Sequence, residues 1–307
     1  MAVATITSGR SGTGLTALVQ RHPIAVFLVL ALGSVYVLSV IPILMQYDVI
    51  PGKDFPSRLG LDMERFSAAG LTLLLFSSAL LVTSLDGGRP AVRQLLRRIG
   101  RWRVGIGWWL VALLGLPLLT VVIAVLFGDA VVLPSGSVLA RELLGILIAW
   151  FLINLWEEAA WAGFLQTRLE RRHNFFVAAL LTGIPFAAIH MPLQVITGEV
   201  RSALDFAVGF GLLMVLVIFV RSLFGMVLRG AANSLLLVAL THAMFNRSNN
   251  RDGIVADLLP GSDSRQIAAL LATILLAAVL GLVLRRKLGR SYRRELDEAE
   301  ERRSGTD

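Results

Sequence analysis

The chain contains no cysteine in 307 residues. This removes disulfides, thiolate nucleophiles and thiolate-held metals, and leaves the redox compartment undetermined. Lysine is almost as scarce: Lys53 and Lys287 stand alone, so arginine carries the basic charge. Only 16% of residues are charged and only four are histidine. No HExxH pair, repeat of fixed period, low-complexity tract or domain-length linker interrupts the pattern, and no serine or threonine sits in a nucleophile motif. The apolar run behind the polar N-terminus is too long for a signal-peptide core and has no clear cleavage site, so it reads as a first membrane span.

Apolar sequence is what the chain has in abundance. It is 56% hydrophobic with a mean hydropathy of +0.73, spread over nearly its whole length. That pattern predicts an all-α polytopic membrane protein rather than a soluble body with one anchor. A bilayer core about 30 Å thick needs roughly 20 apolar residues per helix. Eight segments meet or approach that length: 23–46, 66–85, 104–127, 139–166, 174–197, 204–228, 233–247 and 265–284. The net charge of +8 and isoelectric point near 11.0 do not imply nucleic acid, because the arginines lie in short loops between spans. With both termini cytoplasmic, about 20 of the 29 basic residues fall on the inner side and eight on the outer, which sets the expected orientation. Stretch 86–103, DGGRPAVRQLLRRIGRWR, is read first as ordinary cytoplasmic charge and second as a basic interfacial helix beginning near Pro90. The arginine-rich, Ala/Leu/Val/Gly-rich composition fits a GC-rich bacterial genome, hence a bacterial plasma membrane. The expected organisation is a cytoplasmic tail (1–22), N-terminal spans (23–138), a core (139–250), a last loop and span (251–284) and a charged cytoplasmic tail (285–307).

Within the spans, ionisable groups are few and concentrated. Span four carries Asn154 and the adjacent carboxylates Glu157 and Glu158; span five carries His190; span seven carries His242 and Asn246. A carboxylate at membrane depth costs about 2.5–3.5 kcal/mol on insertion scales, so such groups face a cavity or a partner. Helical spacing puts His242 and Asn246 on one face, likewise Phe186 and His190, and Asn154 one turn before the carboxylates. Adjacent helical residues diverge by about 100°, so one glutamate faces a shared site and the other needs a separate partner. Helix rise places His190 about two turns deeper than Glu157, a mismatch that tilt, a later start of span five or a kink at Pro185 or Pro192 would remove. Asn154 and Asn233 are expected as interhelical hydrogen-bonding residues, the tryptophans 102, 108 and 109 as interfacial, and His22, His173, Asp129, Asp205 and Asp257 as solvated.

With no protein nucleophile evident, activated water is the expected attacking group. A glutamate among apolar helices suits a general base, a histidine can hold the water, and a second histidine with an asparagine amide can stabilise a tetrahedral oxyanion. The same side chains could instead bind Zn²⁺ through one glutamate and two histidines. The residues alone do not choose between these.

In order along the chain, Glu157-Glu158-x-x-Trp161-Ala162-Gly163-Phe164, Phe186-x-x-x-His190 and His242-x-x-x-Asn246 resemble the EExxxR, FxxxH and HxxxN motifs of the CAAX-type and bacteriocin-processing (CPBP) intramembrane proteases. The resemblance covers about residues 139–250. It implies an eight-helix fold with a polar cavity formed by spans four, five and seven, and an endopeptidase acting on membrane-associated peptides or proteins. It further implies catalytic roles for Glu157, Glu158, His190, His242 and Asn246, with either no cofactor or a divalent metal such as zinc on Glu157, His190 and His242. The family arginine falls on Ala162 here, so the ion pair that would hold Glu158 within its own helix is missing. Either Glu158 is held protonated, or Asn154 satisfies it, or another cation substitutes, Arg221 in span six being the arginine placed to do so. The alternative reading is a non-catalytic scaffold that binds a membrane partner in the same cavity.

Overall fold

The computed structural model describes residues 14–289. The expectations for the first 13 residues and for the tail from 290 onward lie outside the described residues. Among the described residues the fold has eight long helices: α1 (Pro23–Gln46), α2 (Met63–Ile99), α3 (Ile106–Leu126), α4 (Gly136–Leu169), α5 (Phe175–Ile196), α6 (Ala203–Gly230), α7 (Leu235–Asn249) and α8 (Arg265–Val283). All but α7 are long and apolar enough to cross a membrane. The 15-residue α7 is held by its surroundings instead. The Arg265 guanidinium donates to the carbonyls of Ser248, Asn249 and Asn250 at 3.0, 2.8 and 3.1 Å, satisfying the exposed end of the helix.

Helix starts follow capping chemistry. Asp62, Ser135, Asn174, Ser202 and Ser234 each accept from a backbone N–H three residues on, opening α2, α4, α5, α6 and α7, while Pro23 stands in the first turn of α1. The reversal between the segments read as 204–228 and 233–247 falls at residues 231–234. α6 runs through Arg229, and the reversal is made by Ala232 and Asn233, both with left-handed backbone at φ 51° and 61°.

Two elements depart from the sequence reading. α2 runs past Leu85 to Ile99 as two helical segments joined by a sharp bend at Gly88, whose φ of 63° and ψ of −160° only glycine adopts readily, and the segment beyond the bend is the basic helix of the second reading of 86–103. Pro90 follows, lacking the amide that would rejoin the ladder. In α4 the backbone is π-helical over Ala149–Asn154 and Trp161–Gln166, with one α-helical stretch, Leu155–Ala160, between them. The Thr167 hydroxyl donates to the Ala162 carbonyl at 2.7 Å, taking up a group within the second widened turn. π-Helical turns inside α-helices occur frequently at functional positions, and here they bracket the two carboxylates.

Polarity is inverted relative to a soluble protein. Val29, Val37, Leu73, Leu118, Leu143, Leu152, Leu212 and Leu282 are exposed on the outer faces, whereas Glu158 and Arg221 are completely buried. Apolar residues facing out and charges facing in are what a lipid solvent selects. The chain is therefore a multi-pass all-α membrane protein. α5 shows the same rule locally: Pro192 cannot donate to the Ala188 carbonyl, and the Tyr36 hydroxyl of α1 donates to it instead at 2.7 Å. The proline pair around His190 thus leaves α5 continuous.

α4 and α6 approach closely at Gly225. A Cβ there would stand 2.1 Å from Gln166 Nε2 and 2.8 Å from the Phe175 ring. Gly225→Ala is expected to lower stability by about 1–3 kcal/mol, the usual cost of overpacking, while Gly211→Ala, which meets open space, stays near wild type. Thermal unfolding of both variants in detergent checks this; equal midpoints would show that the contact yields without cost.

Candidate active site

The α-helical turn of α4 points its two carboxylates to different places, as a 100° step requires. Glu158 faces α6 and α7. Arg221 Nη1 donates to both of its oxygens, at 2.8 and 3.0 Å, and His242 Nδ1 lies 2.9 Å from Oε1. Arg221 thus fills the place left by Ala162, reaching Glu158 from a neighbouring helix. A carboxylate only accepts, so His242 donates through Nδ1 and turns Nε2 away from Glu158. The His242 ring is held between two others, with centroid distances of 4.9 Å to Phe224 and 5.9 Å to Phe186.

The charge network continues along α4. Arg221 Nη2 donates to Gln166 Oε1 at 3.2 Å, Gln166 Nε2 donates to Glu170 Oε1 at 3.0 Å, and Arg229 Nε donates to Glu170 Oε2 at 2.7 Å. All of these side chains are buried. Burial pushes the Glu170 carboxyl above the usual glutamate range, while Arg229, Gln166 and Arg98 pull it back down. Gln166, Glu170 and Arg229 were not singled out from sequence. Their signal is the spacing 158, 166, 170 on α4 against 221 and 229 on α6, which puts each set on one helical stripe.

Glu157 faces α5. Its Oε1 is 3.8 Å from His190 Nε2 and has no hydrogen-bond partner. The Phe186 carbonyl, one turn earlier, accepts from His190 Nδ1 at 2.6 Å, leaving Nε2 of the neutral ring unprotonated. Two hydrogen-bond acceptors therefore face each other, just beyond direct contact. The depth mismatch is narrowed mainly by α4 running to Leu169: Glu157 then lies about 18 Å from that end and His190 about 22 Å from the start of α5. Phe186 is the common wall of both halves of the site, with its centroid 4.6 Å from His190, 5.8 Å from Trp161 and 5.3 Å from the Arg221 guanidinium carbon.

Other expected residues resolve differently. Asn154 is buried, yet neither amide atom has a partner, so it is not the interhelical bridge expected. Trp161 Nε1 is likewise unpaired. Asn154, Glu157 and Trp161 are spaced i, i+3, i+7, one helical face carrying unpaired buried polar atoms. Such atoms in a native protein call for water or a ligand. Asn246 lies one turn beyond His242 and is half-buried. Next to it Arg247 pairs with the buried Glu142 of α4. His242 keeps Nε2 free while Nδ1 meets Glu158, and His190 keeps Nε2 towards Glu157. Among the described residues no group of three or more histidine, aspartate or glutamate side chains is arranged to hold an ion.

A multi-pass helical membrane protein with a buried glutamate facing a half-buried histidine between α4 and α5 defines the class: a membrane protein built around an interior polar site. The match that places it further covers residues 139–248, which fit the family described as Rce1-like, type II CAAX prenyl endopeptidase Rce1-like. The matched segment runs from near the start of α4 almost to the end of α7, so this part of the chain is similar to a CAAX-type protease domain. Comparison with curated proteins gave no match.

Removing one partner of a buried ion pair leaves the other charge uncompensated, at about 3–5 kcal/mol. Arg221→Met is therefore expected to lower the unfolding midpoint sharply. Adding Glu158→Gln in the same chain should restore part of the loss. If Arg221→Met melts with the wild type, Glu158 does not depend on this guanidinium.

Proposed function

We propose that the chain is an endopeptidase of a bacterial plasma membrane, with both termini cytoplasmic, and that it hydrolyses peptide bonds in or next to the bilayer by water activated between Glu157 and His190. The observation that carries the reading is the pair of facing acceptors, Glu157 Oε1 and His190 Nε2, 3.8 Å apart in an otherwise apolar setting. A water placed there can donate one hydrogen to each. Glu157 takes a proton from the water as its oxygen bonds to the scissile carbonyl carbon. The resulting tetrahedral oxyanion collapses with cleavage of the C–N bond, and the proton held by Glu157 passes to the leaving amine. With Glu158 accepting from Nδ1, a protonated His242 presents Nε2–H to the oxyanion, beside the Asn246 amide. The unpaired amide of Asn154 and the indole N–H of Trp161 line the same face of α4 as Glu157 and suit a peptide backbone, which offers a donor and an acceptor in alternation.

No step is assigned to a metal ion. The substrate class is a membrane-associated peptide or protein segment, consistent with the matched family.

Glu157→Gln keeps the shape of the side chain and removes the base. Cleavage of a fluorogenic membrane peptide by the purified, reconstituted chain is expected to fall by about 10²–10⁴-fold. His190→Ala should fall comparably, and exhaustive chelation should leave the wild-type rate unchanged. Retained cleavage in Glu157→Gln sinks the mechanism, and loss on chelation with rescue by zinc would move the reading to a metalloenzyme.

A further inference from the structure

The arginine-rich half of α2, from Arg89 to Ile99, is not absorbed by the proteolytic reading, and its arginines divide into two sets. Arg98 faces the protein: it donates to the Gly163 carbonyl at 3.0 Å and to the Thr167 hydroxyl at 3.2 Å. Arg101, just past the helix, donates to the Ala232 carbonyl. These two tie the segment to α4 and to the α6–α7 turn. Arg89, Arg93 and Arg97 stand at i, i+4 and i+8, are exposed, and have no hydrogen bond or ion pair among the described residues. Positive-inside charge accounts for the number of arginines but not for this sorting.

The three unpaired guanidinium groups line one concavity. The bend at Gly88 folds the basic half back towards the apolar half, and an open cleft of about 540 Å³ lies in the elbow, lined by Ser84, Arg89, Val92, Arg93, Leu96 and Arg97. Ser84 belongs to the membrane-spanning half, so the cleft sits where the apolar part of α2 gives way to charge. That is the headgroup level of a bilayer. Trp102 is exposed close by, with the Arg103 guanidinium over its ring at 5.2 Å, a pairing suited to the same level. The lining is mixed: three cations and a hydroxyl for a phosphate, and Val92 with the exposed Leu96 for hydrocarbon. A free inorganic anion has no use for the apolar pair. An amphipathic anion uses both.

We propose that this elbow is a binding site for the phosphodiester headgroup of an anionic phospholipid. Arg89, Arg93 and Arg97 contact the phosphate, while Val92 and Leu96 lie along the start of the acyl chains. Because Arg98 and Arg101 on the opposite side of the segment hold α4 and the α6–α7 turn, a lipid seated here braces the helix that carries Glu157 without touching the catalytic groups.

The test is native mass spectrometry of the full detergent-solubilised chain titrated with dioleoyl phosphatidylglycerol or dioleoyl phosphatidylcholine. The wild type is expected to retain phosphatidylglycerol in preference to phosphatidylcholine. The triple variant R89Q/R93Q/R97Q is expected to bind phosphatidylglycerol at least about tenfold more weakly. A control triple, R285Q/R286Q/K287Q, removes the same charge elsewhere and should change binding less than about twofold. Equal loss in both triples would overturn the proposal in favour of unspecific attraction. Competition by millimolar inorganic phosphate as effective as by the lipid would overturn it in favour of a free-anion site. Should the elbow triple aggregate, Arg93→Gln and Leu96→Ser are read singly: each weakens phosphatidylglycerol retention if the site is as described, and a wild-type profile in both refutes it.

Discussion

Glu158 and Arg221 form an ion pair with no exposed surface at all, and the rest of the interior is arranged so that this pair can exist. Withdrawing two charges from water costs several kcal/mol per ion even after relaxation, and mutual attraction offsets that only when the remaining donors and acceptors are satisfied. The protein meets most of that condition by extension, with Arg221 Nε left unpaired. Oε1 of Glu158 also faces His242 Nδ1, Nη2 of Arg221 also reaches Gln166, and Gln166 passes the network on to Glu170 and Arg229. The network is alternating in charge and ends near the ends of α4 and α6. Gly225 is part of the same arrangement, because any side chain there would occupy the place of the Gln166 amide.

The network explains why two neighbouring glutamates have different fates. Glu158 has a cation and an imidazole, and its carboxylate is spent on holding three helices together. Glu157 has no hydrogen-bonding partner; its neighbour at 3.8 Å is His190 Nε2. A carboxylate that already accepts three hydrogen bonds is a poor base, whereas one with an unpaired oxygen can take a proton from whatever enters the gap. The division of labour follows from the 100° step between adjacent helical residues.

Much of this was legible in the chain. The apolar spans announced a membrane fold, and because charges are scarce, those inside the spans marked the site without further information. The Glu158–Arg221 pair was also within reach, because Arg221 was the one arginine plausibly inside a neighbouring span and Glu158 lacked its usual partner at Ala162. The continuation through Gln166, Glu170 and Arg229 was not. These residues lie at the ends of apolar runs, where sequence alone reads solvated termini, and only the extra helical turns of α4 and α6 draw them indoors. Likewise Asn154 carries no sign in its type or position that both amide atoms are unpaired. That depends on the π-helical turn ending there, a backbone feature no side-chain pattern encodes.

Supplying the cation from α6 rather than from within α4 changes what the ion pair can do. An i, i+4 pair stabilises one helix and is indifferent to its neighbours. The pair seen here fixes α4 to α6, and His242 on Glu158 adds α7, which the Arg247–Glu142 pair and the Trp150 indole on the Leu236 carbonyl also tie to α4. α5 is fastened separately: the Tyr36 hydroxyl takes its Ala188 carbonyl, and Phe186 packs against Trp161 of α4. Glu157 and His190 therefore meet across a joint made of aromatic packing, while Glu158 and His242 meet across one made of charge. Packing contacts are weak individually and permit small displacements, whereas a desolvated charge pair loses steeply when stretched. If a membrane peptide is admitted between helices, the α4–α5 side is the joint that can open, and that side holds the proposed base.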